Sequence, residues 1–357
     1  MEIYLVGGVV RDEQLGISND KSVKDYVVVG SSPEEMKTLG FRQVGKNFPV
    51  FIDPESSDEY ALARTESKVG AGYSGFEFDT SKTVTLEQDL YRRDLTINAI
   101  AKNRKGELID PYGGLEDIKT KTIRHVSDAF SEDPVRLLRV ARFASRFHKL
   151  GFSVAPETQK LMQQMVDSGE VDALVPERVF KELSLAFCSD KPSIFFDVLI
   201  ESSAYHRLFP MLSSTGSHIA QLVDASVEDL EVKFALWLHQ EKIEDITALC
   251  SHLKCPKDYQ QAAELVAKWY IFCKDLLSHS AHEVLDFYLK SDSLRRQRRF
   301  EKILIAFKEL GVDVKPISEI LVALKAINVS KLDKAQIVEQ IAQKRLSVIG
   351  RFLNPTK

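Results

Sequence analysis

Cysteine is scarce in this chain of 357 residues: four thiols in all, too few for a disulfide framework and better suited to a reducing compartment. Long apolar runs are missing too, and none approaches the roughly 20 residues that span a bilayer. The first eight residues, Met1 to Gly8, lack the basic region, apolar stretch and small-residue cleavage site of a secretory signal. A soluble cytoplasmic protein is therefore expected. Nor is there an excess of one charge: 48 basic against 52 acidic residues leave a net −4. A polyanion would have to be met by local basic patches, because the global field is weakly repulsive. Internal repeats and low-complexity stretches are absent. What remains is ordinary globular composition, 44% hydrophobic and 28% charged, which argues against a fibrous or wholly disordered chain. At about 150 residues per domain the length suits two or three domains.

Two regimes follow one another along the chain. Up to about Ile123, short β-rich runs alternate with short helical ones. Ile3–Val6, Asp25–Val29, Pro49–Ile52 and Glu59–Arg64 read as strands from their Val, Ile, Tyr and Phe content. Segments near Val9–Leu15, Pro33–Leu39 and Asp94–Ala101 read as helices. From Asp133 onward apolar residues recur three and four apart, the period of packed helices. The expected boundaries are a mixed head over 1–125, a helical neck over 126–210 and a helical body and tail over 211–357. Ser213–Ser217 reads as a loop between helical units.

Four segments of the chain carry chemistry. Gly7-Gly8-Val9-Val10-Arg11-Asp12 follows a strand and opens a helix, where glycine lets the backbone approach a phosphate and free amides face it. The same pair is also consistent with a plain turn. Val23-Lys24-Asp25-Tyr26-Val27 puts a carboxylate on a short strand beside that turn, suited to Mg²⁺ against a triphosphate or merely to solvent. In Arg92-Arg93-Asp94-Leu95-Thr96-Ile97-Asn98, Asp94 reads as a helix cap and Asn98 as a polar group among apolar neighbours. It could satisfy nearby backbone or read a ribose hydroxyl. Finally, Asp133 and Pro134 open a helix on which Arg136, Arg139, Arg142 and Arg146 are spaced 3, 3 and 4 and share one face. Such a stripe is often plain solvated surface, but with no acid interleaved it favours an anionic partner.

Together these segments resemble the ordered motifs of class II tRNA nucleotidyltransferases, the CCA-adding enzymes and their kin the bacterial poly(A) polymerases. Glu59-Tyr60-Ala61-Leu62-Ala63-Arg64-Thr65-Glu66 with Gly70–Gly75, Asp110-Pro111-Tyr112-Gly113-Gly114-Leu115 and Val175-Pro176-Glu177-Arg178-Val179 extend the match over roughly residues 1 to 210. The resemblance implies an α+β fold: a polymerase-β-like nucleotidyltransferase head of mixed α/β structure, followed by an all-helical neck, body and tail. It implies addition of C and A to the 3′ end of tRNA from CTP and ATP with release of pyrophosphate, without a nucleic-acid template and with Mg²⁺ as cofactor. It assigns Gly8, Arg11 and Arg93 to the nucleotide, Asp94 and Asn98 to its ribose, and Asp133 and Arg136 to the edge of the incoming base. Arg139 and Arg142 complete the nucleotide pocket, and Asp25 is the catalytic metal ligand.

The sequence departs from the family at two points. The family's metal site is an Asp-x-Asp pair, and either alignment here, Val23-Lys24-Asp25 or Asp25-Tyr26-Val27, offers one carboxylate of the two. Asp20 lies at the wrong spacing; Glu59, on a later strand, is a further carboxylate that could in principle help, though nothing in the sequence shows it. The alternatives are therefore a weak or silent tRNA- and nucleotide-binding paralogue, a C-only or A-only enzyme, or a poly(A) polymerase. Downstream, Trp237-Leu238-His239-Gln240 resembles a phosphohydrolase helix with Gln240 where a metal-binding Asp belongs, so that activity is not expected. Arg295, Arg296, Arg298 and Arg299, with Lys302, form the densest basic cluster, either a solvated face or a contact for tRNA phosphates. Cys250, His252 and Cys255, with Cys273, fit no standard zinc spacing. Trp237 and Trp269 read as core.

Overall fold

The computed structural model describes residues 1–19, 23–44, 50–68, 76–213, 222–328 and 337–354. Asp20, the Gly70–Gly75 stretch and most of the Ser213–Ser217 loop lie outside them. The chain divides into two compact units, Met1–Leu208 and Phe209–Lys357.

The first unit is built on a seven-stranded mixed sheet in the order β3-β4-β5-β2-β1-β8-β9. Its strands are β1 (Glu2–Val6), β2 (Asp25–Val29), β3 (Arg42–Val44), β4 (Val50–Ile52), β5 (Glu59–Leu62), β8 (Ala101–Lys102) and β9 (Leu108–Ile109). Asp25-Tyr26-Val27-Val28-Val29 is central because both of its faces are apolar. Val27 joins Val6, Ala63, Leu90 and Ala99 in one core layer, and Val28 joins Met36, Phe51 and Leu62 in the other. β1 (Val6 opposite Asp25) runs antiparallel to β2, whereas β5 runs parallel to it, with Glu59 in register with Asp25. That parallel pairing requires a crossover, which carries α2 (Pro33–Thr38) and the β3–β4 hairpin. A separate ribbon, β6 (Thr65–Lys68) against β7 (Phe76–Asp79), leaves the sheet just after β5.

Three helices frame the head: α1 (Gly8–Gln14), α3 (Leu86–Tyr91) and α4 (Gly114–Thr120). Thr85 caps α3, accepting from the Gln88 amide, while Gln88 reaches back to the Thr85 amide. The helix expected over Asp94–Ala101 is instead a single 3₁₀ turn, Thr96–Asn98, followed by β8. Tertiary bonds draw the segment out of the helix. Leu95 is extended and bridges His125, the Thr96 amide donates to the Arg124 carbonyl, and the Thr96 hydroxyl donates to Asp117. Leu95, Ile97, Ala99, Ile100 and Ala101 are buried on every side, so the run has no polar face of the kind a surface helix needs.

Beyond the head, β10 (Thr122–Ile123) pairs in parallel with β11 (Ser153–Val154) and straddles α5 (Val135–Phe147). α6 (Pro156–Asp167), α7 (Pro176–Phe187), α8 (Ser193–Glu201) and α9 (Ala204–Leu208) complete the unit. α5 packs against α7 and α8, and its Leu137, Leu138, Ala141 and Phe147 are fully buried.

The second unit is helical: α10 (Leu230–Leu238), α11 (Ile243–His252), α12 (Lys257–Lys274), α13 (Ala281–Lys290), α14 (Gln297–Glu309), α15 (Val314–Lys325) and α16 (Ile337–Leu353). Trp237 is buried between Phe209 and Phe234. Trp269 is half-buried against Phe272 and Phe287.

Candidate active site

The face of the sheet that carries Asp25, Val27 and Ala61 opens into a cavity of about 890 Å³. Gly7, Gly8, Arg11, Arg93, Asp94, Asn98, Asp133, Arg136, Arg139, Arg142 and Arg146 all line it. The structure thus brings every head and neck residue assigned to nucleotide or metal into one hollow, from four separate stretches of chain.

Gly7 precedes α1 at φ +73, a conformation that disfavours L side chains. A Cβ added there would lie 3.3 Å from Arg93 Nη1 and 4.0 Å from Asp25 Oδ2, so glycine leaves room between a carboxylate and an arginine. Arg11, only 3% exposed, is pinned from three sides. Its Nη1 donates to Asn98 Oδ1 at 2.5 Å, its Nε donates to Asp12 at 2.8 Å, and its guanidinium lies over the rings of Phe143 and Phe147 at 4.9 and 5.0 Å. Burial lowers its pKa, against the charge of Asp12.

Asn98 is a bridge. While accepting from Arg11, it donates through Nδ2 to Asp94 Oδ1 at 2.9 Å. Asp94 Oδ2 accepts from Arg139 Nε at 2.7 Å. Burial alone would raise the Asp94 carboxyl. The Arg139 charge, the bonds from Asn98 and Arg139, and the charge of Arg136 outweigh it and hold the group well below the usual carboxylate range. Arg93 donates through Nε and Nη2 to Asp89 Oδ2 at 3.4 and 3.2 Å and through Nη1 to the Asn98 carbonyl at 3.3 Å.

On the helical side, Asp133 caps the start of α5 as expected, accepting from the Val135 amide at 3.1 Å. It also receives both terminal nitrogens of Arg178, at 3.2 and 2.9 Å, a two-pronged contact that fixes the carboxylate plane. Arg136 is buried and donates to the Ala129 carbonyl at 2.7 Å. Arg142 donates to Glu182 at 2.5 Å with Phe143 beneath it at 4.2 Å, and Arg146 donates to Asp12 at 2.9 Å. The stripe that carries no acid along its own helix is therefore countered from other elements: Asp94, Glu182 and Asp12.

Asp25 sits at the open edge of β2. Burial and the like charge of Glu59 push its carboxyl upward, and Arg93 pulls it down. The parallel register that places Glu59 beside Asp25 puts a second carboxylate on the cavity wall. An oxygen-only, doubly anionic donor set suits a hard divalent cation. Among the described residues no group of three or more His, Cys, Asp or Glu side chains could hold a metal ion, so Asp25 and Glu59 stand as a pair.

Sequence reasoning missed Asp89, Glu182 and the partnership of Arg178 with Asp133. Asp89 left a signal, lying three and four residues before Arg92 and Arg93, which follow the end of its helix. Glu182 left none, since only the fold brings α7 to α5.

The basic cluster of the second unit is divided. Arg295 is 86% exposed and Arg298 is exposed, while Arg296 lies 3.4 Å from Asp292. Arg299 turns inward, donating to Gln261 Oε1 and the Ser291 carbonyl, both at 2.8 Å, and Lys302 pairs with Asp229 and Glu231. Arg299 therefore helps hold the helices together and does not present its charge outward, contrary to the expectation for the whole cluster. His239 is buried, its Nδ1 donating to the Leu236 carbonyl at 2.8 Å. Cys255 donates its amide to the Cys250 carbonyl at 2.9 Å across the end of α11.

A glycine turn, a carboxylate pair on adjacent strands and an arginine-lined helix around one cavity define a nucleotidyltransferase head joined to a helical neck. Residues 3–124 match the family model described as the poly A polymerase head domain, and residues 151–215 match the probable RNA and SrmB-binding site of polymerase A. A CCA-adding enzyme of Coxiella burnetii is 45% identical over 353 residues, covering 97% of this chain and 93% of that protein. A multifunctional CCA protein of Teredinibacter turnerae is 42% identical over 383 residues, covering 95% and 93%. The solved structure of a CCA-adding enzyme with ATP shares the fold at a TM-score of 0.70 and 21% identity, covering 98% of this chain and 86% of that one. The Thermotoga maritima CCA-adding enzyme with tRNA shares it at 0.67 and 20%, covering 100% and 88%. The chain belongs to the class II tRNA nucleotidyltransferases, the family of bacterial CCA-adding enzymes and poly(A) polymerases. No helix among the described residues is long and apolar enough to cross a membrane.

Proposed function

We propose that this protein adds C and A nucleotides to the 3′ end of tRNA in the cytoplasm, using CTP and ATP. The observation that carries the reading is the single cavity in which Gly8, Arg11 and Arg93, Asp94 and Asn98, and Asp133 with Arg136, Arg139 and Arg142 converge. The tRNA 3′ hydroxyl oxygen attacks the α-phosphorus, the bond to the β-phosphate oxygen breaks, and pyrophosphate leaves. Asp25 and Glu59 would hold Mg²⁺, which when bound lowers the pKa of the attacking hydroxyl and offsets charge on the phosphates. Gly7 and Gly8 let the backbone approach the triphosphate, and Arg93 and Arg11 supply positive charge at that end.

Base choice follows from donor order. Asp133 accepts and Arg136 donates, which suits a base with an amino donor beside a ring-nitrogen acceptor. Cytosine (N4, N3) and adenine (N6, N1) share that order; uracil and guanine reverse it. Arg178 and the Ala129 carbonyl hold the two side chains in place. Arg136→Ala should thus relax discrimination against UTP and GTP by about 1–3 kcal/mol, read as incorporation of each nucleotide. An equal loss for all four nucleotides would remove Arg136 from base selection.

The metal assignment is tested by titrating Mg²⁺. Asp25→Ala should abolish incorporation, and Glu59→Gln should raise the Mg²⁺ needed for half-maximal incorporation, because affinity for a hard cation follows ligand charge. An unchanged Mg²⁺ requirement in Glu59→Gln would take that residue out of the site.

A further inference from the structure

Asp89 is 1% exposed, and two chain segments, Arg92–Arg93 and Arg64, converge on its carboxylate. Oδ2 accepts from Arg93 Nε and Nη2 at 3.4 and 3.2 Å. Oδ1 accepts the Arg64 amide at 3.3 Å and lies 3.6 Å from Arg92 Nε. Arg64 is the residue immediately before β6, so the root of the β6–β7 ribbon hangs on the same group that grips Arg93. The grip has a direction. With two nitrogens on Asp89, the third nitrogen of Arg93 points to the Asn98 carbonyl and the space over Gly7, which is the phosphate end of the cavity.

We propose that Asp89 is a positioning residue that aims Arg93 at the nucleotide phosphates and ties that arginine to the root of the β6–β7 ribbon. The proposal rests on the reading of the cavity as a nucleotide site. A free arginine samples many rotamers, and each must be given up when a triphosphate binds. A two-nitrogen contact to a buried carboxylate fixes the guanidinium plane beforehand and lowers that cost. Asp89 borders the cavity but is 1% exposed and covered by its arginine partners, so its effect passes through Arg93. Its loss should fall on nucleotide affinity and leave tRNA affinity unchanged.

The test uses the full chain. CTP and ATP binding are measured by equilibrium titration, which needs no turnover, and incorporation into tRNA is measured alongside. Asp89→Asn should weaken both nucleotides about tenfold and raise their KM in step, with KM for tRNA within about twofold. In an Arg93→Ala background the same substitution should add less than about twofold, because the group it acts through is gone. Wild-type affinity in a folded Asp89→Asn protein, or an undiminished tenfold loss on top of Arg93→Ala, overturns the proposal. Should Asp89→Asn unfold the chain, Arg93→Lys asks the same question from the other partner. Lysine keeps the charge but lacks the two-nitrogen fork, so weakened CTP binding supports positioning and wild-type binding overturns it. A wild-type chain that binds neither CTP nor ATP sinks the nucleotidyltransferase reading and this proposal with it, a result distinct from a wild-type chain that binds while Asp89→Asn matches it.

Discussion

Asp94 is a buried charge whose partners come from two elements, the Thr96–Asn98 turn and α5, and the cost of removing one partner can be set against a known range. Arg139→Met would leave the carboxylate with Asn98 and Arg136 but without the cation it bonds directly; because Arg139 is 37% exposed, the cost falls below the about 3–5 kcal/mol of a fully buried pair, and thermal unfolding measures it. The sign of the pH effect follows from the depressed carboxyl. A group whose folded pKa lies below its unfolded value, about 3.9 for aspartate, stabilises the fold above that value and loses the contribution as pH falls through the folded one. Acid titration should show the wild type losing stability below about pH 4 more steeply than Asp94→Asn, and parallel curves would contradict the assignment. At this scale the sequence was informative in one direction. Four arginines at helical spacing could be placed on one face by arithmetic, and they do line one cavity. Their partners could not be found that way, since Asp94, Glu182 and Asp12 lie up to 134 residues away and no local pattern links them.

The elements that hold these residues are set by close approaches as much as by propensity. Gly114 begins α4 against the Thr96–Asn98 turn, where a Cβ would collide with the Thr96 carbonyl. Gly114→Ala must therefore shift the turn that orients Asn98. It should lower stability by about 1–3 kcal/mol and weaken CTP and ATP binding together, with unfolding curves and titrations as readouts. Wild-type values for both would mean that the turn tolerates the shift. The strands at Ile3–Val6 and Asp25–Val29 and the helices after Gly7 and Ser32 were legible because their patterns are local. Asp94–Ala101 misled for the opposite reason. Its helical look came from composition, while bonds that Thr96 donates to the Arg124 carbonyl and to Asp117 decide its shape. The carboxylate pair was hidden for the same reason: Glu59 reaches Asp25 only through a parallel register, which a crossover sets and no sequence spacing records.

For the whole molecule the balance of charge matters. With a net −4, binding of a tRNA polyanion depends on local cations and should weaken steeply as salt rises. Arg295, Arg296 and Arg298 are the exposed members of the tail cluster, and Arg296 lies 3.4 Å from Asp292. Arg295→Ala with Arg298→Ala should lower tRNA affinity and flatten its salt dependence by a slope of about 1 to 2, whereas Arg299→Ala should lower the unfolding midpoint instead. Equal effects from both changes would undo that division. The central claim is ordered nucleotide addition by a site with Asp25 and Glu59 in place of the family's aspartate pair. It is tested most directly by offering labelled CTP and ATP, with Mg²⁺, to tRNAs ending before the first C, after one C and after two. The account predicts C, then C, then A, and no further extension. Bound tRNA with no incorporation from any of the three would contradict it and leave a silent binding protein, with the Asp25 region the reason.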